Sequence, residues 1–180
     1  MKLTLLSLCA LTICPFTYAQ DAPKPPSPVK VTKLASPKAL KFELTIPGKL
    51  DDVWTAFTTT EGLNTWLWQD CSVELRPGGD WIARFPGGSI GGGTIVSFQA
   101  RKQVVIHAMA PDKFPTVRAT GTTATFEFAA VGQQTRVTLT QTGWQEGKEW
   151  DEAYEYLATG NAQLLEQFHY RFANGPIAWK

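Results

Sequence analysis

Cysteine is scarce in this chain of 180 residues, which holds three: Cys9, Cys14 and Cys71. The first two lie in an apolar N-terminal stretch that has the features of a cleaved targeting segment. Cys71 alone would then remain, and a single cysteine forms no intramolecular disulfide and no multi-cysteine metal site. We therefore expect a protein that is stabilised by its hydrophobic core, with Cys71 as a small buried strand residue.

Long hydrophobic runs are also missing, because no stretch approaches the roughly 18 apolar residues of a membrane-spanning helix. Residues 3–16 are mostly apolar but too short to cross a bilayer. Lys2 precedes them, and the small residues Thr17 and Ala19 follow. This pattern predicts a secretory signal peptide over residues 1–19, cleaved near Ala19. A periplasmic or secreted protein without a transmembrane segment is expected.

Neither sign of charge is in excess. The chain carries 17 Lys and Arg against 16 Asp and Glu, and removal of Lys2 with the signal peptide makes the two numbers equal. Proteins that bind nucleic acids or anionic membranes through phosphates need a concentration of positive charge. No nucleic-acid partner is therefore expected.

Proline is concentrated in residues 20–38, which hold five of the chain's 12 prolines. Such a composition predicts an extended linker. From Ala39 onward the pattern changes to alternating apolar and polar residues, which is typical of a half-buried strand. We expect one folded domain over residues 39–174 and a C-terminal tail over 175–180.

The domain begins with one predicted strand and two short helices, over residues 49–58 and 61–68. A long amphipathic helix is predicted over residues 148–172, where apolar residues recur at helical spacing. Between them lie further predicted strands at residues 71–75, 81–85, 94–99, 104–109, 123–129 and 135–141. The apolar stripe of the long helix consists of Trp150, Tyr154, Leu157, Leu164, Phe168 and Phe172. The order of elements predicts an α+β fold.

Four phrases carry a resemblance to a known family: IPGKLDDVWTAF at residues 46–57, EGLNTW at 61–66, RPGGDW at 76–81 and TRVTLT at 135–140. With the order of elements, they resemble the START-like (SRPBCC, birch-pollen-allergen-like) superfamily, in the branch named for the activator of heat-shock-protein-ninety ATPase. The similarity covers residues 39–174. It implies a helix-grip fold, in which a curved antiparallel sheet of about six to seven strands wraps around the long C-terminal helix.

The resemblance also implies a cavity between helix and sheet, which in this superfamily often takes apolar ligands. The residues that fall where this fold lines its pocket are Trp66, Trp81, Phe85, Phe126, Phe128, Tyr154, Leu157 and Phe168. His107 alternates with Val105 and Met109, so we expect His107 and Met109 to face the cavity. His107, Tyr154 and Gln163 are the expected polar contacts to a ligand.

Catalytic and metal-binding motifs are not evident. The sequence has no Gly-x-Ser-x-Gly elbow, and His107 and His169 form no His-x-x-x-His pair. The glycine-rich run over residues 87–93 lacks the lysine of a phosphate loop and precedes a strand, which favours a flexible hairpin loop. We predict no cofactor and no metal.

The leading hypothesis is an exported protein that binds a small apolar or amphipathic molecule between the long helix and the sheet. One alternative is a cyclase, hydratase or hydrolase that uses the same cavity, with His107 as a weak candidate for its general base. Glu127 is a further candidate, although strand alternation places it in solvent. The other alternative is a protein-interaction module without a small-molecule ligand. The sequence does not predict an oligomeric state.

Overall fold

The computed structural model describes residues 26–179. The expected signal peptide at residues 1–19 lies outside these residues. Within them, the elements in chain order are β1 (Lys30–Ala35), β2 (Lys38–Ile46), α1 (Leu50–Thr58), α2 (Thr60–Asn64), β3 (Cys71–Val73), β4 (Asp80–Arg84), β5 (Ile90–Gln99), β6 (Gln103–Met109), α3 (Pro115–Thr120), β7 (Thr122–Val131), β8 (Gln134–Thr142) and α4 (Lys148–Asn174).

One antiparallel sheet contains all eight of the described strands, in the order β1-β2-β8-β7-β6-β5-β4-β3. Strand β8 returns to pair with β2, so that Leu40 lies opposite Gln141 and Ile46 opposite Thr135. Helix α4 packs across one face of this sheet, and its contacts with β2 are extensive. The expected α+β class and helix-grip arrangement are confirmed, with one strand more than the six to seven expected.

The additional strand is β1, and it corrects the expected linker. Residues Lys30–Ala35 pair with β2 along their whole length, from Lys30 opposite Glu43 to Ala35 opposite Lys38. The prolines responsible for the linker prediction lie before this strand, or at Pro37 in the turn that follows it. Proline removes a ladder donor only where it stands, so the proline-free run can pair. The linker prediction is wrong for residues 30–38.

Two short helices connect β2 to the rest of the sheet. Asp51 and Asp52 lie in the first turn of α1, where the helix dipole favours acidic side chains. The Thr59 hydroxyl caps α2 by accepting a hydrogen bond from the backbone N–H of Gly62, at 3.0 Å. Gly62 packs directly on α1, since a Cβ there would lie 2.6 Å from the Cα of Ala56. Helix α2 is shorter than the predicted segment, which extended to residue 68.

Helix α4 buries part of its predicted apolar stripe, because Leu157, Leu164 and Phe172 are only half-buried. The buried residues on it are Trp150, Ala153, Tyr154, Ala158, Leu165 and Phe168. The first turn of α4 also contacts helix α3, a helix that the sequence did not predict. One carboxylate oxygen of Glu149 accepts hydrogen bonds from the backbone N–H groups of Thr116 (2.6 Å) and Val117 (3.1 Å). This contact satisfies free donors at the start of α3.

Phe57 of α1 lies at the centre of the core. Its ring centroid is 4.6 Å from that of Phe126 and 5.0 Å from that of Trp81, and it also contacts the rings of Trp66 and Phe168. These aromatic contacts join α1, the sheet and α4 into one core. No helix within residues 26–179 has both the length and the apolarity required to cross a membrane.

Candidate functional site

A cavity of about 320 Å³ lies between α4 and the central strands of the sheet. This volume is at the lower end of the range of roughly 300–1,000 Å³ for small-molecule sites. The residues lining it are Trp81, Phe85, Ser89, Ile90, Gly91, Gly92, Ile106, Ala108, Met109, Pro111, Asp112, Ala124, Phe126, Leu139, Gln141, Tyr156, Leu157, Asn161 and Leu164. Most of them are apolar, so the cavity suits a molecule with a largely apolar body.

The aromatic wall of the cavity is fixed from behind. The indole N–H of Trp81 donates a hydrogen bond to the backbone carbonyl of Phe57, at 2.9 Å. The rings of Trp81 and Phe126 are stacked, with centroids 6.3 Å apart. Since the polar edge of Trp81 is already satisfied, this wall offers ring surface to the cavity.

Glycines bring three strands close together beside this wall. Gly92 has a φ of +113°, and a Cβ at Gly93 would lie 2.9 Å from the Cα of Ala108. Side chains at these positions would prevent β5 from approaching its neighbours. The glycine-rich run therefore belongs largely to β5 and forms cavity wall, whereas we expected a flexible loop. Gly87 and Gly88, both with positive φ, form the turn before it.

Polar side chains occupy one part of the lining. The side-chain amide of Gln141 donates a hydrogen bond to the hydroxyl of Thr122, at 2.8 Å. The oxygen of the Gln141 amide accepts a hydrogen bond from Asn161 Nδ2, at 2.7 Å. Gln141 lies on β8 and Asn161 on α4, so this contact links the two sides of the cavity.

The cavity opens where its lining residues are exposed, at Ile90 and Tyr156. Asp112 is the charged residue among the described lining residues, and its carboxylate lies 3.0 Å from the guanidinium nitrogen Nε of Arg118. The Lys113 ammonium lies 3.4 Å from the centroid of the Tyr156 ring. The opening thus combines apolar surface with a paired carboxylate.

Five of the residues expected at the site line this cavity: Trp81, Phe85, Met109, Phe126 and Leu157. They come from four different elements and one connection, and the fold brings them together around one space. Trp81, Phe85, Phe126 and Leu157 are pocket positions that the resemblance implied, and Met109 was expected from strand alternation.

Other expected site residues belong to the core beside the cavity. Trp66, Phe128 and Phe168 are buried without lining it, and the rings of Trp66 and Phe168 stack with centroids 4.3 Å apart. The hydroxyl of Tyr154 donates a hydrogen bond to the carbonyl of Ala39, at 3.0 Å. Burial raises the pKa of the Tyr154 phenol. These side chains support the fold rather than the cavity surface.

His107 and Gln163 do not face the cavity, contrary to expectation. His107 is exposed on the outer face of β6, with its ring against Gly121. The inward residues of β6 are Val104 and Ile106. Both faces of this strand carry apolar residues, and the prediction assigned the wrong face to the interior. Gln163 is an exposed residue of α4. Glu127 is also exposed, as the alternation of β7 indicated.

The sequence interpretation missed Gln141 and Asn161, although each carried a signal. Gln141 has the same parity on β8 as the buried residues Val137 and Leu139. Asn161 lies one helical turn after Leu157, in the gap of the apolar stripe before Leu164. A polar residue at a position that patterning assigns to the interior is a signal of a site or of a buried network.

Two further kinds of chemistry, a reactive thiol at Cys71 and a metal site, find no support in the described residues. Burial raises the pKa of the Cys71 thiol to about 11, so the thiol is protonated at neutral pH. Within residues 26–179, no group of three or more His, Cys, Asp and Glu side chains is arranged to hold a metal ion.

Comparison with known protein families identifies the family to which this chain belongs. Residues 48–172 match the family model described as Activator of Hsp90 ATPase homolog 1-like protein. The chain belongs to this family. Strands β1 and β2 both precede the matched residues. Comparison with the curated proteins gives no match.

Solved structures share the fold of this Activator of Hsp90 ATPase homolog 1-like chain. The Aha1 dimer from Colwellia psychrerythraea is 22% identical, with a TM-score of 0.61, over 76% of this chain and 97% of that one. A protein from Mesorhizobium loti is 15% identical, with a TM-score of 0.64, over 78% and 100%. CalU16 from Micromonospora echinospora is 15% identical, with a TM-score of 0.58, over 83% and 84%. At these identities the similarity establishes the fold alone.

Proposed function

We propose that this protein binds a small apolar or amphipathic molecule in the cavity between α4 and the sheet. The observation that carries the proposal is the cavity itself, which is apolar over most of its lining and contains a small polar group. An apolar pocket with a few convergent polar groups is the usual form of a small-molecule site.

The cavity supports binding rather than catalysis. The carboxylate of Asp112 lies at the opening, in an ion pair with Arg118. His107, the residue first considered as a general base, is on the other face of the sheet. The described lining residues therefore offer hydrogen-bonding groups and apolar contact, which suffice for binding.

The test is native mass spectrometry of the protein purified from its own compartment, followed by solvent extraction. We expect an apolar or amphipathic molecule in stoichiometric amount. If the protein is empty and its tryptophan fluorescence does not respond to a panel of small apolar compounds, the proposal is refuted. Trp81 makes fluorescence informative, because its ring faces the cavity.

We further propose that the protein acts outside the cytoplasm, after removal of residues 1–19. The support is the charged, apolar and small-residue pattern of that segment. N-terminal sequencing of the protein from separated cell fractions tests this proposal. A start near Gln20 in the exported fraction is the expected result, and retention of Met1 in the cytoplasmic fraction would contradict it.

A further inference from the structure

A small hydrogen-bonded polar network lies at the otherwise apolar cavity, formed by Thr122, Gln141 and Asn161. Gln141 has only 3% of its surface exposed, yet it lines the cavity. A buried side-chain amide is costly unless its hydrogen-bonding groups are satisfied. Its Nε2 and Oε1 each have a partner, in Thr122 and Asn161, which hold the Gln141 amide in one orientation.

Asn161 is only partly used by this network. A side-chain amide has two N–H donors and an oxygen acceptor, and one N–H of Asn161 is donated to Gln141. Within residues 26–179, no hydrogen bond reaches Asn161 Oδ1, and no buried side-chain nitrogen or oxygen lacks a partner. Oδ1 is therefore accessible. Since Asn161 lines the cavity, its second N–H and its oxygen can serve a molecule bound there.

The charges around the cavity favour a neutral ligand. Lys and Arg side chains are absent from the described lining residues. The two cations at the opening are already engaged, Arg118 with the carboxylate of Asp112 and Lys113 with the ring of Tyr156. A ligand carboxylate would lose its hydration without gaining a cationic partner. A hydroxyl, carbonyl or amide group loses less hydration and can exchange it for the amide of Asn161.

We propose that Asn161, oriented by Gln141 and Thr122, is the polar anchor of the cavity. It selects an apolar molecule that carries one neutral hydrogen-bonding group over both a plain hydrocarbon and a carboxylate. This inference rests on the proposed binding function and adds the chemical class of the ligand. Cavity size limits the apolar body to that of a small molecule.

Three probes with the same ring system test the anchor: naphthalene, 2-naphthol and 2-naphthoate, titrated at neutral pH with tryptophan fluorescence as the readout. One additional hydrogen bond makes 2-naphthol bind about three- to tenfold more tightly than naphthalene. We expect 2-naphthoate to bind at least about tenfold more weakly than naphthalene. Equal binding of naphthalene and 2-naphthol, or preferred binding of 2-naphthoate, would overturn the inference.

Asn161→Leu removes the anchor at nearly constant shape. In this variant we expect naphthalene binding to persist and the advantage of 2-naphthol to disappear. Asn161→Ala serves the same purpose if the leucine variant folds poorly, and thermal unfolding checks both. The matched control is Gln163→Leu on the same helix, which is exposed outside the cavity and leaves the ratio unchanged. An unchanged ratio in both Asn161 variants would assign the selectivity to another residue and refute the anchor.

The outcomes distinguish this inference from the function on which it rests. If naphthalene binds and 2-naphthol gains nothing, the cavity binds apolar molecules and the anchor is wrong. If none of the three probes binds the native protein, the proposed function itself fails. Loss of naphthalene binding in a folded Asn161 variant would also count against the anchor, because Asn161 would then shape the cavity.

Discussion

Substitution of Ala124 by leucine tests whether the cavity is open space. Ala124 is 6% exposed, and its side chain lies on the cavity surface formed by β7. Leucine adds three carbon atoms, and burial of each contributes about 0.8 kcal/mol, or about 2.4 kcal/mol in total. Ordering the larger side chain costs about 0.5–1 kcal/mol. We therefore expect Ala124→Leu to raise the free energy of unfolding by about 1.5 kcal/mol.

The matched control is Ala83→Leu. Ala83 is 1% exposed and packs in the same core, but it does not line the cavity. Adding carbon atoms to a filled core forces neighbouring side chains apart and costs about 1–3 kcal/mol. The two substitutions make the same chemical change and are expected to alter stability in opposite directions.

Urea unfolding, followed by tryptophan fluorescence, measures both variants. Naphthalene binding provides a second readout, since Ala124→Leu occupies the space that the probe needs and is expected to weaken its binding at least about tenfold. If Ala124→Leu destabilises the protein as much as Ala83→Leu does, the space is already filled in solution. Unchanged naphthalene affinity in a stabilised Ala124→Leu variant would place the binding site elsewhere.

Three further predictions concern the scaffold. Gly160→Ala is expected to raise the free energy of unfolding by about 1 kcal/mol in urea titrations. A Cβ at this position meets nothing within 4 Å, and alanine is the better helix former. A loss of stability would show that the helix needs glycine here. Burial raises the pKa of Cys71 to about 11, so roughly 0.1% of the thiol is ionised at pH 8. We expect a disulfide reagent to label Cys71 only after unfolding, and rapid labelling of the native protein would contradict this prediction. Burial raises the pKa of Glu149, but hydrogen bonds from Thr116 and Val117 outweigh burial and leave this pKa below its usual value. The stability that Glu149 contributes is therefore present above the ordinary carboxyl pKa and is lost as the pH falls through the lowered pKa. Glu149→Gln is expected to reduce the pH dependence of unfolding between about pH 3 and pH 6, and an unchanged dependence would show that the carboxylate has no net role.

The sequence predicted the type and order of most elements because most of them bury one face only, whereas the helix-grip arrangement was implied by the family resemblance. The period of α4 and the alternation of strands such as β2 and β8 follow directly from that one-sided burial. Strand β1 was missed for the opposite reason. Its burial is slight, since it lies at the sheet edge, and the neighbouring prolines dominated the composition of that segment.

The candidate site was predicted less completely, because cavity lining depends on which face of a strand turns inward. On β6 both faces carry apolar residues, so alternation alone did not assign His107 to the outside. The wall formed by Gly91 and Gly92 depends on how closely three strands approach, which the local sequence does not encode. The polar pair Gln141 and Asn161 comes from distant elements, and each residue alone suggested only an interruption of an apolar pattern.

The pairing of β2 with β8 determines when this chain can fold during synthesis. Leu40 and Gln141 lie opposite each other in the sheet, although most of the domain separates them in sequence. The apolar face of the sheet is then covered by α4, which ends at Asn174. Contacts between such distant segments form slowly and late. The residues through α4 must therefore leave the ribosome before the core can close. A chain shortened before α4 would leave Phe42 and Leu139 uncovered and prone to aggregate.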